Sequence, residues 1–327
     1  MRSRSNVSVI IATYNRAPLL DECLEHLLAQ PFNDGDEVIV VDNGSTDETP
    51  AVVARYRGRC CVALRLLSES TPGKSFAIAT GAAHASGDIL ALTDDDVNVD
   101  AGWLDGIRSS MRDPGIGMVG GPVTPRWEPN IPAWIRRARD RFPRLGAPIA
   151  LLDYGAETTD IGPRTLLGAN LAVRRELFLE LGGYPTQLGK LRGTLLSGED
   201  HELCRRVLAT GLRAVYVPTV TVAHWVPANR ARIGYFLRWF YWSGVTHAVM
   251  DSEQASGGAT VAGVPLYLQR RAVCAAASAA VSLLSLRRTR ALDSAIDIAF
   301  CAGYAAQRWR LGSFASRAGT PAAKEVS

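Results

Sequence analysis

The residues most able to do chemistry stand in one short stretch. An apolar run, Leu90-Ala91-Leu92-Thr93, leads straight into three adjacent carboxylates, Asp94, Asp95 and Asp96. Like charges in a row repel, so a fold that places them at a strand end must offset them. A divalent cation does this well. Mg²⁺ and Mn²⁺ prefer oxygen ligands, and Mg²⁺ usually takes one or two carboxylates plus substrate phosphates. An isolated acidic triplet also reads as a solvated turn. Its place after an apolar strand favours a site, because α/β sheets bind ligands beyond the carboxyl ends of their strands. Thr13, Tyr14, Asn15 and Arg16 stand in the same place after another strand, and Asp42 after a third. Asp42, ahead of Gly44-Ser45, reads on local grounds either as a helix cap or as an acceptor for a base N–H. Taken together, these strand ends describe a nucleotide pocket. Further along stand Glu199-Asp200, at the start of a helix, and His224, after a late strand. Each also has a structural reading, the pair as carboxylates at a helix N-terminus and the lone histidine as a core residue.

The elements that must position these groups alternate. Val7 to Ile11, Glu37 to Val41, Val62 to Leu67 and Asp88 to Thr93 are β-branched or apolar runs of strand length, suited to a sheet buried on both faces. Between them, Leu19, Leu20, Cys23, Leu24, Leu27 and Leu28 form a helical stripe. Thr46 to Arg57 and Ser75 to Ala85 also read as helices. This is the pattern of a mostly parallel α/β sheet. After Gly120-Gly121-Pro122 the chain turns irregular, with the basic run Arg136-Arg137-Ala138-Arg139. Strand and helix return from Thr165, and strands are expected over Ala214 to Val217 and Val220 to Ala223.

Composition bounds the rest. The chain has 327 residues, 47% of them hydrophobic and 21% charged, as in an ordinary globular protein. A net charge of +4 gives no case for nucleic acid as a partner. Only Lys74, Lys190 and Lys324 are lysines among 36 basic residues. Arginine suits phosphate recognition through its planar fork. The six cysteines form no CxxC pair and read as small core residues in a reducing compartment. No signal peptide is apparent, so the expected location is cytoplasmic.

The ordered motifs resemble those of the inverting family-2 glycosyltransferases with the GT-A fold. The matching pieces are Val7 to Arg16, Val41 to Asp47, Pro72-Gly73-Lys74, Thr93 to Asp96, Gly168-Ala169-Asn170, Gly198-Glu199-Asp200 and Ala223-His224. The resemblance implies a GT-A domain over 1–245, with a nucleotide-sugar half at 6–115 and an acceptor and catalytic half at 116–245. A helical extension follows over 246–327. It implies a nucleotide-diphosphate sugar donor, a UDP-, GDP- or dTDP-sugar with UDP favoured. Thr13, Tyr14, Asn15, Arg16, Asp42, Lys74, Asp94, Asp95 and Asn170 would bind it. Asp96, Asp94 and His224 would hold Mn²⁺ or Mg²⁺. Asp200 would be the base, with Glu199 supporting the loop or the acceptor. The acceptor would be a glycan, a lipid-linked sugar or a small molecule. Tyr235-Phe236-Leu237-Arg238-Trp239 lacks the glutamine of the processive synthases' QxxRW signature, which argues for transfer of a single sugar. Two rival readings are a sugar-phosphate nucleotidyltransferase and an inactive nucleotide-sugar-binding protein. The first would need a glycine-rich loop after the first strand, and residues 12–16 contain no glycine. The second is opposed by the intact set of Asp94, Asp96, Asp200 and His224.

The last ninety residues are helical and apolar in pattern. Ala272 to Leu286 is an uncharged run flanked by Arg270, Arg271, Arg287, Arg288 and Arg290. A spanning helix needs about 20 apolar residues, so this run is short for that role. It suits packing within the protein, a homodimer contact, or attachment at the inner face of the cell membrane.

Overall fold

The computed structural model describes residues 5–136, 143–190, 193–253, 259–285 and 287–318. Most of the basic run at 136–139, Leu286 and Lys324 lie outside them. The chain forms two compact units, Met1–Gly193 with Gly198–Ala231, and Thr194–Ser197 with Arg232–Ser327. The division falls after Ala231, ahead of the boundary expected at 245, because one helix begins at Ile233 and runs unbroken to Glu253.

The first unit opens with the expected alternation: β1 (Val7–Thr13), α1 (Ala17–Leu28), β2 (Glu37–Asp42), α2 (Thr49–Arg57), β3 (Ala63–Ser68), α3 (Lys74–His84) and β4 (Ile89–Asp94). Then come β5 (Val97–Val99), α4 (Trp103–Ser110), β6 (Ile116–Gly120), β7 (Val123–Trp127), β8 (Thr159–Asp160), β9 (Asn170–Arg174) and α5 (Arg175–Glu180). The unit closes with α6 (Glu199–Ala209), β10 (Arg213–Tyr216) and β11 (Val222–Val226). Eight strands form one sheet in the order β3-β2-β1-β4-β9-β6-β10-β8. The pairs β1–β2, β2–β3, β1–β4 and β6–β10 are parallel, while β9 runs antiparallel between β4 and β6. A second, three-stranded sheet has the order β5-β11-β7.

The β-branched runs explain the sheet. Val7, Val9, Ile10, Ile11 and all six residues of β2 are buried, as a sheet covered on both faces requires. Helix α2 starts at Thr49 rather than Thr46 because the Asp47 carboxylate accepts the Thr49 N–H at 3.1 Å and its hydroxyl at 2.5 Å. The same carboxylate accepts the Ala17 N–H at the head of α1, at 2.9 Å. Of the cysteines, Cys23, Cys204 and Cys301 are buried as expected. Cys61 and Cys274 are exposed, the first in the bend before β3 and the second on the open side of a C-terminal helix.

The second unit holds α7 (Ile233–Glu253), a short hairpin of β12 (Thr260–Val261) and β13 (Val264–Pro265), α8 (Leu266–Leu284) and α9 (Arg288–Ala318). The aromatic cluster of α7 packs within the protein, with Phe236 and Phe240 buried and Trp239 edge-on to Phe240 at 5.0 Å. Helices α7 and α9 cross on two glycines. A Cβ added to Gly303 would run into the carbonyl of Tyr241, and one on Gly244 into the carbonyl of Phe300. Backbone cannot yield as a flexible side chain does, so the helices must separate. Gly303→Val is expected to cost the second unit about 1–3 kcal/mol or more. Thermal unfolding and limited proteolysis check this; an unchanged transition and an unchanged cleavage pattern would count against the close crossing.

Candidate active site

Strand register gathers the acidic residues. Thr13 lies opposite Asp42, and Ala12 opposite Asp94, so β1, β2 and β4 end together on one rim. Asp95 and Asp96 form the turn after β4, and β5 starts at Val97. Strand β11 pairs with β5 so that His224 faces Val97, and the Trp225 N–H donates to the Asp96 carbonyl at 2.8 Å. His224 therefore sits inside β11 rather than after its end. Its Nε2 stands 3.4 Å from Asp96 Oδ1.

This cluster fits a divalent cation. One ligand atom each from Asp94, Asp96 and His224 can be chosen so that all lie within 4.8 Å of one another. Asp96 Oδ1 and His224 Nδ1 are buried without a hydrogen-bond partner among the described residues. Orphaned buried polar atoms are costly unless something else satisfies them. Burial also lowers the His224 pKa to about 4. The ring is then neutral at pH 7, the form that ligates metals. Two carboxylates and an imidazole suit Mn²⁺ or a related hard to borderline cation.

The remaining charge is met by side chains. Asp95 accepts from the Thr13 hydroxyl and from Arg16, each at 2.9 Å. The same Arg16 nitrogen reaches Asp96 Oδ2 at 2.9 Å. Lys74 pairs with Asp94. Burial pushes the Asp95 carboxyl up to about 6 in spite of Arg16, with Asp96 and Asp94 adding to the rise. Burial acts on Asp94 in the same sense, but Lys74 and Lys190 overcome it and hold Asp94 well below the ordinary carboxylate range.

A cavity of about 190 Å³ opens beside these groups. Thr13, Tyr14, Arg16, Lys74, Asp94 and Asp95 line it, and so do Asn43, Gly73 and Lys190. The other residues expected at the donor site make hydrogen bonds within the protein. Asn15, at φ 51°, donates its N–H to Ser45 Oγ at 2.9 Å and accepts the Thr46 N–H at 2.7 Å. Asp42 accepts the Ser45 N–H at 2.8 Å, which holds a turn; the helix-capping carboxylate is Asp47. Asn170 is 1% exposed. Its amide donates to the carbonyls of Pro122 and Val220 and accepts from Trp103 Nε1.

Two cavity residues were not singled out from sequence. Asn43 donates to the carbonyls of Glu69 and Thr71 and accepts the Gly73 N–H at 2.8 Å. It thereby shapes the Pro72-Gly73-Lys74 turn, whose Gly73 has φ 143°, a conformation that favours glycine. The Lys190 carbonyl accepts the Lys74 N–H at 3.3 Å. A signal for Lys190 did exist. In a chain with three lysines, the two that the structure describes meet at one cavity.

The second carboxylate pair lies close by. Asp200 Oδ2 accepts the Gly168 N–H at 3.1 Å. A Cβ placed on Gly168 would lie 3.6 Å from Lys74 Nζ and 3.8 Å from Asp200 Cβ, so Gly168 separates the lysine from the pair by little more than its own backbone. Tyr184 stands there too, its hydroxyl buried and without a partner among the described residues. Glu199 is 5% exposed, and its Oε2 likewise lacks a partner. Burial first, and the charge of Asp200 second, push Glu199 up to about 7.

Those features define a class. A mostly parallel sheet with an Asp-x-Asp pair at a strand end, and a helical part after it, is a GT-A glycosyltransferase architecture. The family model for glycosyl transferase family 2 matches residues 8–181, and the chain belongs to that family. The chain is 28% identical over 252 residues to the glucosyl-dolichyl phosphate glucuronosyltransferase of Haloferax volcanii, covering 75% of this chain and 77% of that protein. It is 28% identical over 290 residues to the succinoglycan biosynthesis protein ExoM of Rhizobium meliloti, covering 87% and 88%. In structure it is similar to the mannosyltransferase PcManGT of Pyrobaculum calidifontis, solved with GDP-Man and Mn²⁺. That likeness has a TM-score of 0.64 and 26% identity over 94% of this chain and 88% of that one.

The raised pKa of Glu199 sets a pH dependence. Unfolded, this acid ionises near 4.5; folded, only near 7. Its contribution to stability is present below about pH 4.5 and is lost as pH rises to about 7. Glu199→Gln removes that loss. The variant is expected to gain stability relative to wild type between pH 5 and 8, read from thermal midpoints across that range. A difference that stays constant with pH would contradict the assignment.

Proposed function

We propose that the protein transfers one sugar, with inversion, from a nucleotide-diphosphate sugar to an acceptor hydroxyl or amine by a single displacement. The observation that carries this reading is the place of Lys74. Its ammonium pairs with Asp94 on the donor side and lies within electrostatic reach of Glu199 and Asp200 on the other. A donor held beside Asp94 would therefore stand one lysine away from the candidate base. The similarity to a mannosyltransferase solved with GDP-Man and Mn²⁺ supports both the donor class and the ion.

In this reading Asp94, Asp96 and His224 hold Mn²⁺ or Mg²⁺. Such an ion, when bound, acts as a Lewis acid toward the negative charge that develops on the leaving diphosphate. The protein's own groups do the rest. Tyr14, 37% exposed, offers its ring to the base. Asn15 and Asp42 fix the loop beneath it through Ser45 and Thr46. Arg16 and Thr13 keep Asp95 and Asp96 in place. Lys74 and Lys190 supply positive charge beside the phosphates. Asp200 takes the acceptor's proton, oriented by the Gly168 N–H. It is the more accessible of the pair, whereas Glu199 is buried and holds its own proton up to about pH 7.

A screen of UDP-, GDP- and dTDP-sugars, read by released nucleoside diphosphate, identifies the donor. With that donor, EDTA should abolish turnover and Mn²⁺ or Mg²⁺ restore it. His224→Ala and Asp96→Ala should weaken Mn²⁺ binding in the absence of any substrate, measured by calorimetry. Asp200→Asn keeps the shape but cannot accept a proton, so kcat should fall by about 10²–10⁴ with donor affinity nearly unchanged. Full activity in EDTA would sink the metal role. Near-normal kcat in Asp200→Asn would move the base, first to Glu199.

A further inference from the structure

Helix α8 buries little of itself. Leu268, Ala275 and Ser282, seven residues apart, form its buried stripe. Ser294 reaches Ser278 at 3.0 Å, and Arg271 pairs with Asp297 at 2.6 Å, so α9 covers this side. The outer side is apolar and open. Tyr267 is 64% exposed, Val273 70%, Val281 63% and Leu284 88%. No charged residue occurs from Ala272 to Leu286. At a rise of 1.5 Å per residue, Val273 to Leu284 presents an uncharged strip roughly 17 Å long. Single exposed apolar residues are ordinary; a continuous strip marks an interaction surface.

Charge says which surface it meets. Residues 232–327 carry eleven Lys and Arg against five Asp and Glu, a net +6. The other 231 residues carry 25 against 27, a net −2. Five of the eleven flank the strip, Arg270 and Arg271 before it and Arg287, Arg288 and Arg290 after it. Among the described residues, Arg270, Arg287 and Arg290 have no acidic partner. No helix among the described residues is long and apolar enough to cross a membrane. The same unit also holds an apolar cavity of about 410 Å³, lined by Val261, Leu268, Ala272, Ile298 and Trp309 among others. Trp309 at that cavity is 60% exposed, with its indole N–H on the Ala262 carbonyl. An indole with one polar end and one open apolar face suits a membrane–water boundary.

We propose that the C-terminal unit docks flat on an anionic lipid surface, with the outer side of α8 in the headgroup and acyl boundary and its flanking arginines on lipid phosphates. This is the balance of apolar face and basic flanks that interfacial helices use. A second copy of the chain fits the strip less well. Antiparallel pairing of two α8 helices would set Arg270 and Arg271 against Arg287, Arg288 and Arg290. Parallel pairing would set each cluster against itself. Either arrangement opposes like charges, and the inference stands apart from the catalytic reading.

Flotation of the full chain tests it, using vesicles of phosphatidylcholine with and without phosphatidylglycerol. The protein should float with the anionic vesicles, remain at the bottom with phosphatidylcholine alone, and be released by high salt. The triple variant Val273→Asp, Val281→Asp, Leu284→Asp changes only exposed positions and should keep its thermal transition and its donor turnover. It should lose binding by at least about tenfold, since each apolar group that the lipid would cover is replaced by a charge facing anionic lipid. Arg270→Glu with Arg287→Glu should also fall, with a weaker salt dependence. Wild type that stays at the bottom with anionic vesicles overturns the proposal. So does equal flotation on both vesicle types, or a triple variant that floats as wild type does. A wild-type dimer by light scattering that the triple variant splits would assign the strip to a second copy instead. Loss of flotation with turnover intact, or the reverse, separates this inference from the proposed catalysis.

Discussion

Three consecutive carboxylates at the end of a buried strand are the constraint that the rest of the first unit answers. Asp95 and Asp96 are nearly removed from water, and Asp94 is only partly open. Buried charges are tolerated when they are paired or coordinate metal. Each of the three has a different answer. Asp95 takes Thr13 and Arg16 from the end of β1. Asp94 takes Lys74 from the head of α3. Asp96 takes part of Arg16 and stands beside His224, leaving one oxygen unmet. The parallel register of β1 and β4 makes the first answer geometrically available, because Ala12 and Asp94 sit side by side.

The unmet atoms give the site its direction. Asp96 Oδ1 and His224 Nδ1 are buried and without hydrogen bonds among the described residues. A neutral imidazole next to a carboxylate is poor compensation for the charge but good preparation for a cation. Lys74 connects this cluster to the second one. Its charge is held by Asp94, Glu199 and Asp200 together, against the effect of burial. Such a lysine links two groups of acids that would otherwise raise one another's pKa values. The neighbouring Glu199 and Asp200 show the sorting that follows, with the buried residue carrying the raised pKa and the more open one tied to a backbone amide.

Much of this was legible in the chain. The β-branched runs and their alternation with helical stripes led to the parallel part of the sheet, because periodicity and burial are local signals. The acidic triplet after an apolar run could be read for the same reason. Other parts were not legible. Asp42 and Asp47 are five residues apart and chemically alike, yet Asp47 caps the helices while Asp42 holds a turn. The choice depends on where the Ala17 N–H arrives from β1. Asn170 stands in a motif suggestive of ligand contact, but its amide is taken by carbonyls of Pro122 and Val220 and by the indole of Trp103. Those partners lie about fifty or more positions away, and no local pattern names them.

The sequence by itself determined the family, the elements of the first hundred residues, and the acidic residues that a cation would need. It also determined where the charge lies, with the basic excess confined to the last ninety-six residues. Tertiary structure decided which of those groups meet. Pairing of β5 with β11 brings His224 to Asp96, and the backbone contact between Lys74 and Lys190 brings the second lysine to the cavity. Burial then decided their protonation, lowering His224 and raising Glu199. The physical reason is range. Propensity and periodicity act over a few residues, whereas register and desolvation depend on segments that only the folded chain brings together.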